Sequence, residues 1–150
     1  VTSSEIMAAF RSAFSYFNTF GGNPVSVAAA NAVLDVLEGE NLIENARQVG
    51  DYAREGLKRL AQRHEVIGDI RGSGLFFGAE LVLYQAAKTP ATDYATRVAN
   101  EMKDRGVILN KLGIHRNTTK IRPPMCFTRD HADLMLDALD DVLSTVPIDR

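Results

Sequence analysis

At Val66 the spacing of apolar residues in this chain changes, and that change decides its fold class. Upstream, Leu42, Ala46, Val49, Ala53, Leu57 and Leu60 form one stripe, while Glu44, Arg47, Asp51, Arg54, Glu55 and Lys58 fall on the opposite face. This is the 3.6-residue period of a half-buried helix, predicted over about 41–63, with Asn41 and Glu44 at capping-box spacing. Downstream, Val66–Arg71 and Leu75–Leu83 read as two strands joined by Gly72-Ser73-Gly74. A chain that passes from amphipathic helix to glycine-punctuated hairpin has to bury one against the other.

The remaining elements extend this pattern. Thr2 and Glu5 have capping-box spacing ahead of Ile6, Met7, Phe10 and Phe14, which predicts a short helix from about 4 to 14. Pro24 starts a helix to about 38 that is rich in alanine and valine on nearly all sides, a composition expected of an enclosed helix. Thr89-Pro90 opens another helix, with Tyr94, Val98, Ala99 and Met102 inward and Gly106 as its stop. Val107–Asn110 and Thr119–Arg122 read as strands, and Thr128 caps a last helix burying Leu134, Met135, Ala138, Leu139 and Val142. The expected fold is α+β, with helices packed on a small, mostly antiparallel sheet.

Charge and composition exclude several classes of function. A net charge of −2 gives no electrostatic footprint for nucleic acid or an anionic membrane, and no stretch has the length and apolarity of a membrane span. No basic segment followed by an apolar core marks a secretory signal. A single cysteine, Cys126, has no internal disulfide partner and points to a reducing, cytoplasmic setting. The chain starts at Val1, not Met, so a processed protein or a piece of a longer one is expected.

The most informative chemical segment is Tyr16-Phe17-Asn18-Thr19-Phe20-Gly21-Gly22-Asn23-Pro24. Two glycines permit close backbone approach, a hydroxyl precedes them, and a helix N-terminus follows, with Asn23 as N-cap. That combination suits a phosphate, although most Asn-Pro helix starts are only helix starts. Gly72–Gly78 is not a dinucleotide fingerprint, because a strand follows it, and it reads as a turn with close packing. His64 and His131 read as surface residues, His115-Arg116-Asn117 as a solvated loop, and Cys126 as a small core residue. Arg122, at a strand end stiffened by Pro123-Pro124, is suited either to a bidentate grip on a carboxylate or to a surface ion pair.

Four segments together resemble the C-terminal part of the class III aminotransferases, pyridoxal-phosphate enzymes of fold type I. They are Phe17–Pro24, Ile67–Leu75, Arg105-Gly106-Val107 and Ile121-Arg122-Pro123-Pro124, in the family's order and spacing. The resemblance implies that residues 1–40 lead out of a large cofactor domain and that 41–150 form the C-terminal small domain. It implies that Thr19, with Asn18 beside it, binds the phosphate of pyridoxal 5'-phosphate held by the neighbouring subunit of a homodimer. It also implies that Arg122 binds the substrate carboxylate.

The family's catalytic lysine lies upstream of the matching region, and Lys58, Lys88, Lys103, Lys111 and Lys120 do not stand in its motif. The chain by itself is therefore expected to be inactive, as a C-terminal piece of an enzyme that transfers an amino group between an amine or amino acid and a 2-oxo acid. His115-Arg116-Asn117 and Pro123–Phe127 resemble the branch containing phospho-lyases of phosphorylated amino alcohols, which gives a second reading. Lysine is usual there where this chain has Arg122, and that difference favours a carboxylate-bearing substrate. A third reading is a non-catalytic α+β binding module.

Overall fold

The computed structural model describes residues 2–149. The chain divides into two compact units between Val36 and Leu37.

The first unit holds helix α1 (Ser4–Ala13) and most of helix α2 (Pro24–Gly39). The N-cap of α1 is Ser3, not Thr2: its hydroxyl accepts from the Ile6 N–H. Phe10 stacks near Phe14 and Tyr16, with centroids 5.4 and 5.8 Å away. Asn23 caps α2 as its sequence predicts, its side-chain oxygen accepting from Val25 and Ser26. Neither helix has a buried residue, so the enclosure expected of α2 from its composition is not met within this chain.

The second unit begins with α3 (Leu42–Arg63). Its predicted capping box does not form: Asn41 takes a left-handed conformation with φ 51°, and the Glu44 carboxylate is taken by Arg47 and Gln48. The hairpin β1 (Ile67–Ser73) and β2 (Phe76–Leu81) follows, then α4 (Thr92–Asp104), β3 (Asn110–Leu112), β4 (Thr118–Ile121) and α5 (Arg129–Thr145). The four strands form one antiparallel sheet in the order β1-β2-β4-β3. Leu57, Phe77, Leu81, Val98, Met102, Leu139 and Val142 belong to a single buried cluster, with α3, α4 and α5 on one face of the sheet. The expected α+β class is the observed one.

Two boundaries and one buried position differ from expectation for identifiable reasons. Helix α4 starts at Thr92 because Pro90 is still bridged to Val82 and the Ala91 N–H still donates to Leu81. Val107–Leu109 lie outside the sheet. One step past Asn110↔Lys120 the partner strand ends at Ile121 and runs into Pro123-Pro124, which have no N–H to offer a ladder. In α5 the buried stripe is Ala132, Met135, Leu136, Leu139, Val142 and Leu143. Leu134 lies about 200° round from Ala132 and is 57% exposed, not buried as expected.

Candidate functional site

The Asn18–Asn23 segment forms a tight turn in the first unit. The Asn18 side-chain oxygen accepts from the Phe20 N–H at 3.1 Å, and its amide donates to the Tyr16 hydroxyl at 3.1 Å. The Gly21 N–H donates to Asn18 O, the Asn23 N–H to Phe20 O, and Gly22 has φ 74°. Because Asn23 already receives the Val25 and Ser26 N–H groups, the start of α2 offers fewer free donors than its sequence suggests. The Thr19 hydroxyl, the Thr19 N–H and the Gly22 N–H have no hydrogen-bond partner among the described residues. A hydroxyl and two backbone donors at the positive end of a helix match a phosphate dianion. Asn18 is engaged locally, in shaping the turn.

Arg122 lies in the second unit, one residue past β4, exposed and without ion pair or hydrogen bond among the described residues. It lines a groove of ≈ 470 Å³ with Ile108, Leu109, Pro124, Phe127 and Leu134. A guanidinium at the edge of an apolar groove is suited to a ligand with a carboxylate and an apolar body. The segment that carries it is tied down. The Asn45 amide nitrogen, from the first turns of α3, donates to Met125 O at 2.8 Å and to Phe127 O at 3.0 Å. The Phe127 N–H donates to Pro124 O, and Thr128 and His131 close a capping box at the start of α5.

Strand register creates a second candidate that residues neighbouring in the chain do not signal. Arg71 pairs with Gly78, and Gly78 pairs with Lys120, so the three form a row across β1, β2 and β4. Gly78 has no side chain, and a hollow of ≈ 460 Å³ lies there, lined also by Phe76, Leu112 and Thr118. A Cβ on Gly78 would stand 2.2 Å from Thr119 O, so the gap in the row is enforced by the backbone. Arg71 is neutralised, donating to Asp69 at 2.5 Å and Glu80 at 2.7 Å, and its hydrogen bond is the main reason the Glu80 carboxyl titrates below its ordinary value. Lys120 is half-buried, and its side chain has no ion pair or hydrogen bond among the described residues. Its signal in the sequence is alternation: Thr119 and Ile121 are buried in the core, so Lys120 points the other way.

Other residues fall differently from expectation. His64 is half-buried, its Nε2 2.6 Å from Asp140. Asn117 is buried, its amide donating to Leu81 O at 2.8 Å, and so fixes the β3–β4 turn in place of lying in solvent. His115 is exposed and presents its carbonyl to Thr92. Cys126 is exposed, since Asn45 pins the carbonyls on either side of it and turns its side chain outward from the core. Among the described residues no group of three or more His, Cys, Asp or Glu is placed to hold a metal ion, and no helix is long and apolar enough to cross a membrane.

Comparison with known proteins gives a consistent result. The family model for the class-III aminotransferases matches residues 1–143. The mitochondrial alanine–glyoxylate aminotransferase 2 homolog 2 of Arabidopsis thaliana is 50% identical over 130 residues, covering 87% of this chain and 27% of the plant protein. Among solved structures, a phospholyase from Arthrobacter in complex with phosphoethanolamine superposes with a TM-score of 0.90 at 40% identity, over 97% of this chain and 35% of that one. An amine transaminase from an uncultivated Pseudomonas species, in its PLP-bound form, gives a TM-score of 0.80 at 36% identity, over 90% of this chain and 30% of that one. The chain thus spans roughly a third of the length of the relatives it matches.

Proposed function

We propose, for a chain that belongs to the class III aminotransferase family, that the full-length protein transfers an amino group between an amine or amino acid and a 2-oxo acid, with pyridoxal phosphate as cofactor. The observation that carries this reading is the family match over residues 1–143, with the Asn18–Asn23 turn and the Arg122 groove both inside it. When bound, the cofactor supplies an electron sink for the substrate carbon that exchanges its amino group. The residues of this chain bind and orient. The Thr19 hydroxyl and the Thr19 and Gly22 N–H groups donate to the cofactor phosphate of a partner subunit, while Asn18 holds the turn in shape. Arg122 donates to the substrate carboxylate, and its groove excludes water from the apolar part of the substrate.

Residues 1–40 connect a large cofactor domain to a C-terminal small domain of residues 41–150, and the catalytic lysine lies outside these 150 residues. The protein works as a homodimer in the cytoplasm, although some relatives are named as mitochondrial. The exposed Phe17, Phe20 and Val25 support an assembly that covers this segment.

A second reading, phosphate elimination from a phosphorylated amino alcohol, is favoured by Lys120. An unpaired ammonium in a hollow is a point charge suited to phosphate, and the Arthrobacter phospholyase shares the fold closely. The test uses the full-length protein with added pyridoxal phosphate. The transaminase reading requires cofactor-dependent visible absorbance and conversion of a 2-oxo acid to an amino acid. Phosphate release from phosphoethanolamine with no amino transfer would establish the second reading in its place.

A further inference from the structure

We infer that Asn45 is a positioning residue for the segment that carries Arg122, an inference that rests on the carboxylate-binding reading of that arginine. The two residues are far apart in the chain and belong to different elements. Asn45 sits in the first turns of α3, and Arg122 follows β4. Both hydrogens of the Asn45 amide nitrogen are used, one on Met125 O at 2.8 Å and one on Phe127 O at 3.0 Å. These carbonyls belong to the connection between β4 and α5, which has no ladder of its own. Pro123 and Pro124 stiffen its start, the turn from Pro124 O to the Phe127 N–H shapes its middle, and the Thr128–His131 box fixes its end. Asn45 is the side chain of α3 that ties this connection to the body of the unit.

The consequence falls on the groove. Its walls include Arg122, Pro123, Pro124 and Phe127, all within the tethered connection, and Leu134, just inside α5. A guanidinium that recognises a carboxylate by two parallel bonds needs its backbone held to within a fraction of an ångström. Freeing the Met125 and Phe127 carbonyls lets the connection move while β4 and α5 stay in place. Binding of the carboxylate is then impaired, and recognition of the rest of the substrate is not.

The experiment compares Asn45→Ala and Asn45→Asp with wild type in the full-length protein. Alanine favours helix, and aspartate suits a helix N-terminus, so neither substitution weakens α3 itself. Hydrogen exchange at the hydrogen-bonded Phe127 and Thr128 amides is expected to rise about tenfold, with exchange in the rest of α3 unchanged. KM for a carboxylate-bearing amino acid is expected to rise about tenfold at nearly constant kcat, while KM for an amine without a carboxylate holds. Unchanged exchange at the Phe127 and Thr128 amides overturns the inference, as does an equal loss on both substrates, which marks a structural role alone. Arg122→Gln serves as the control for the reading beneath it. If Arg122→Gln leaves KM for the amino acid unmoved, the carboxylate reading fails, a result distinguishable from unchanged exchange in the Asn45 variants.

Discussion

His64 Nε2 stands 2.6 Å from one carboxylate oxygen of Asp140, and this contact joins the C-cap of α3 to the middle of α5. Arg63 reaches the other oxygen at 2.9 Å, so one carboxylate on α5 receives both residues at the end of α3. The hydrogen bond from His64 is the largest cause of an Asp140 pKa below the ordinary aspartate value, with the charges of Arg63 and His64 adding to it.

A pH dependence follows from that depression. The folded state holds the Asp140 proton less tightly than the unfolded state does, so stability rises with pH across the interval between the two values. The contribution is complete above the unfolded pKa and disappears as pH falls through the folded one. Asp140→Asn is expected to remove about 1 kcal/mol at neutral pH and to flatten the acid side of the stability curve. Urea titrations from pH 7 down to pH 3 check this: parallel curves for wild type and variant would show that the contact does not contribute.

Close packing sets a second expectation. A Cβ built on Gly50 would stand 2.0 Å from Gly74 O, a backbone atom of the β1–β2 turn that cannot swing away. The Arg54 guanidinium also donates to this carbonyl, at 3.0 Å, which fixes the turn against α3. Gly50→Ala improves helix propensity by up to ~1 kcal/mol, yet it has to force α3 away from the hairpin. A net loss of about 2 kcal/mol is expected, read as a lower denaturant midpoint at unchanged m-value.

The sequence carried the element order because periodicity and caps are local properties. The stripe from Leu42 to Leu60, the Gly72-Ser73-Gly74 turn and the Thr128 cap can each be read from neighbours a few residues apart. What it hid depends on pairing between distant strands. The start of α4 waited on the bridge from Pro90 to Val82, and the limit of β3 on the end of its partner strand just before Pro123-Pro124. The same holds for the candidate site. Thr19 and Arg122 lie in recognisable local motifs, whereas the Arg71–Gly78–Lys120 row exists only once three strands are in register. Asn45 and Cys126 follow the same logic, since one contact across 80 residues decides which side chain of that connection faces out.

Thr19 provides a test of the proposal that the Asn18–Asn23 turn holds the cofactor phosphate. Its hydroxyl has no partner among the described residues, so replacing it with isosteric valine removes a donor without breaking a bond within the chain. Thr19→Val in the full-length protein is expected to weaken pyridoxal phosphate binding about tenfold or more, the value of one hydrogen bond to a charged acceptor. Thermal stability without cofactor should be unchanged. Titration of the cofactor's visible absorbance measures the effect, and an unaltered dissociation constant would remove Thr19 from the phosphate site.

Lys120 and Arg122 are two residues apart yet open onto different concavities, and this separates the two functional readings. Lys120 borders the hollow beside Gly78 on the sheet, and Arg122 borders the apolar groove beside Phe127 and Leu134. If Arg122 grips a planar carboxylate by two parallel bonds, Arg122→Lys keeps the charge but loses the fork, and KM for an amino acid rises at least about tenfold. Lys120→Gln then leaves that KM nearly unchanged. If Lys120 receives the anion, the pattern inverts: Lys120→Gln is the damaging change, and phosphoethanolamine is the substrate most affected, because a phosphate loses its counter-charge outright. Steady-state kinetics of both variants on both substrates decides between them. Equal, small effects in all four combinations would place the substrate anion at neither residue.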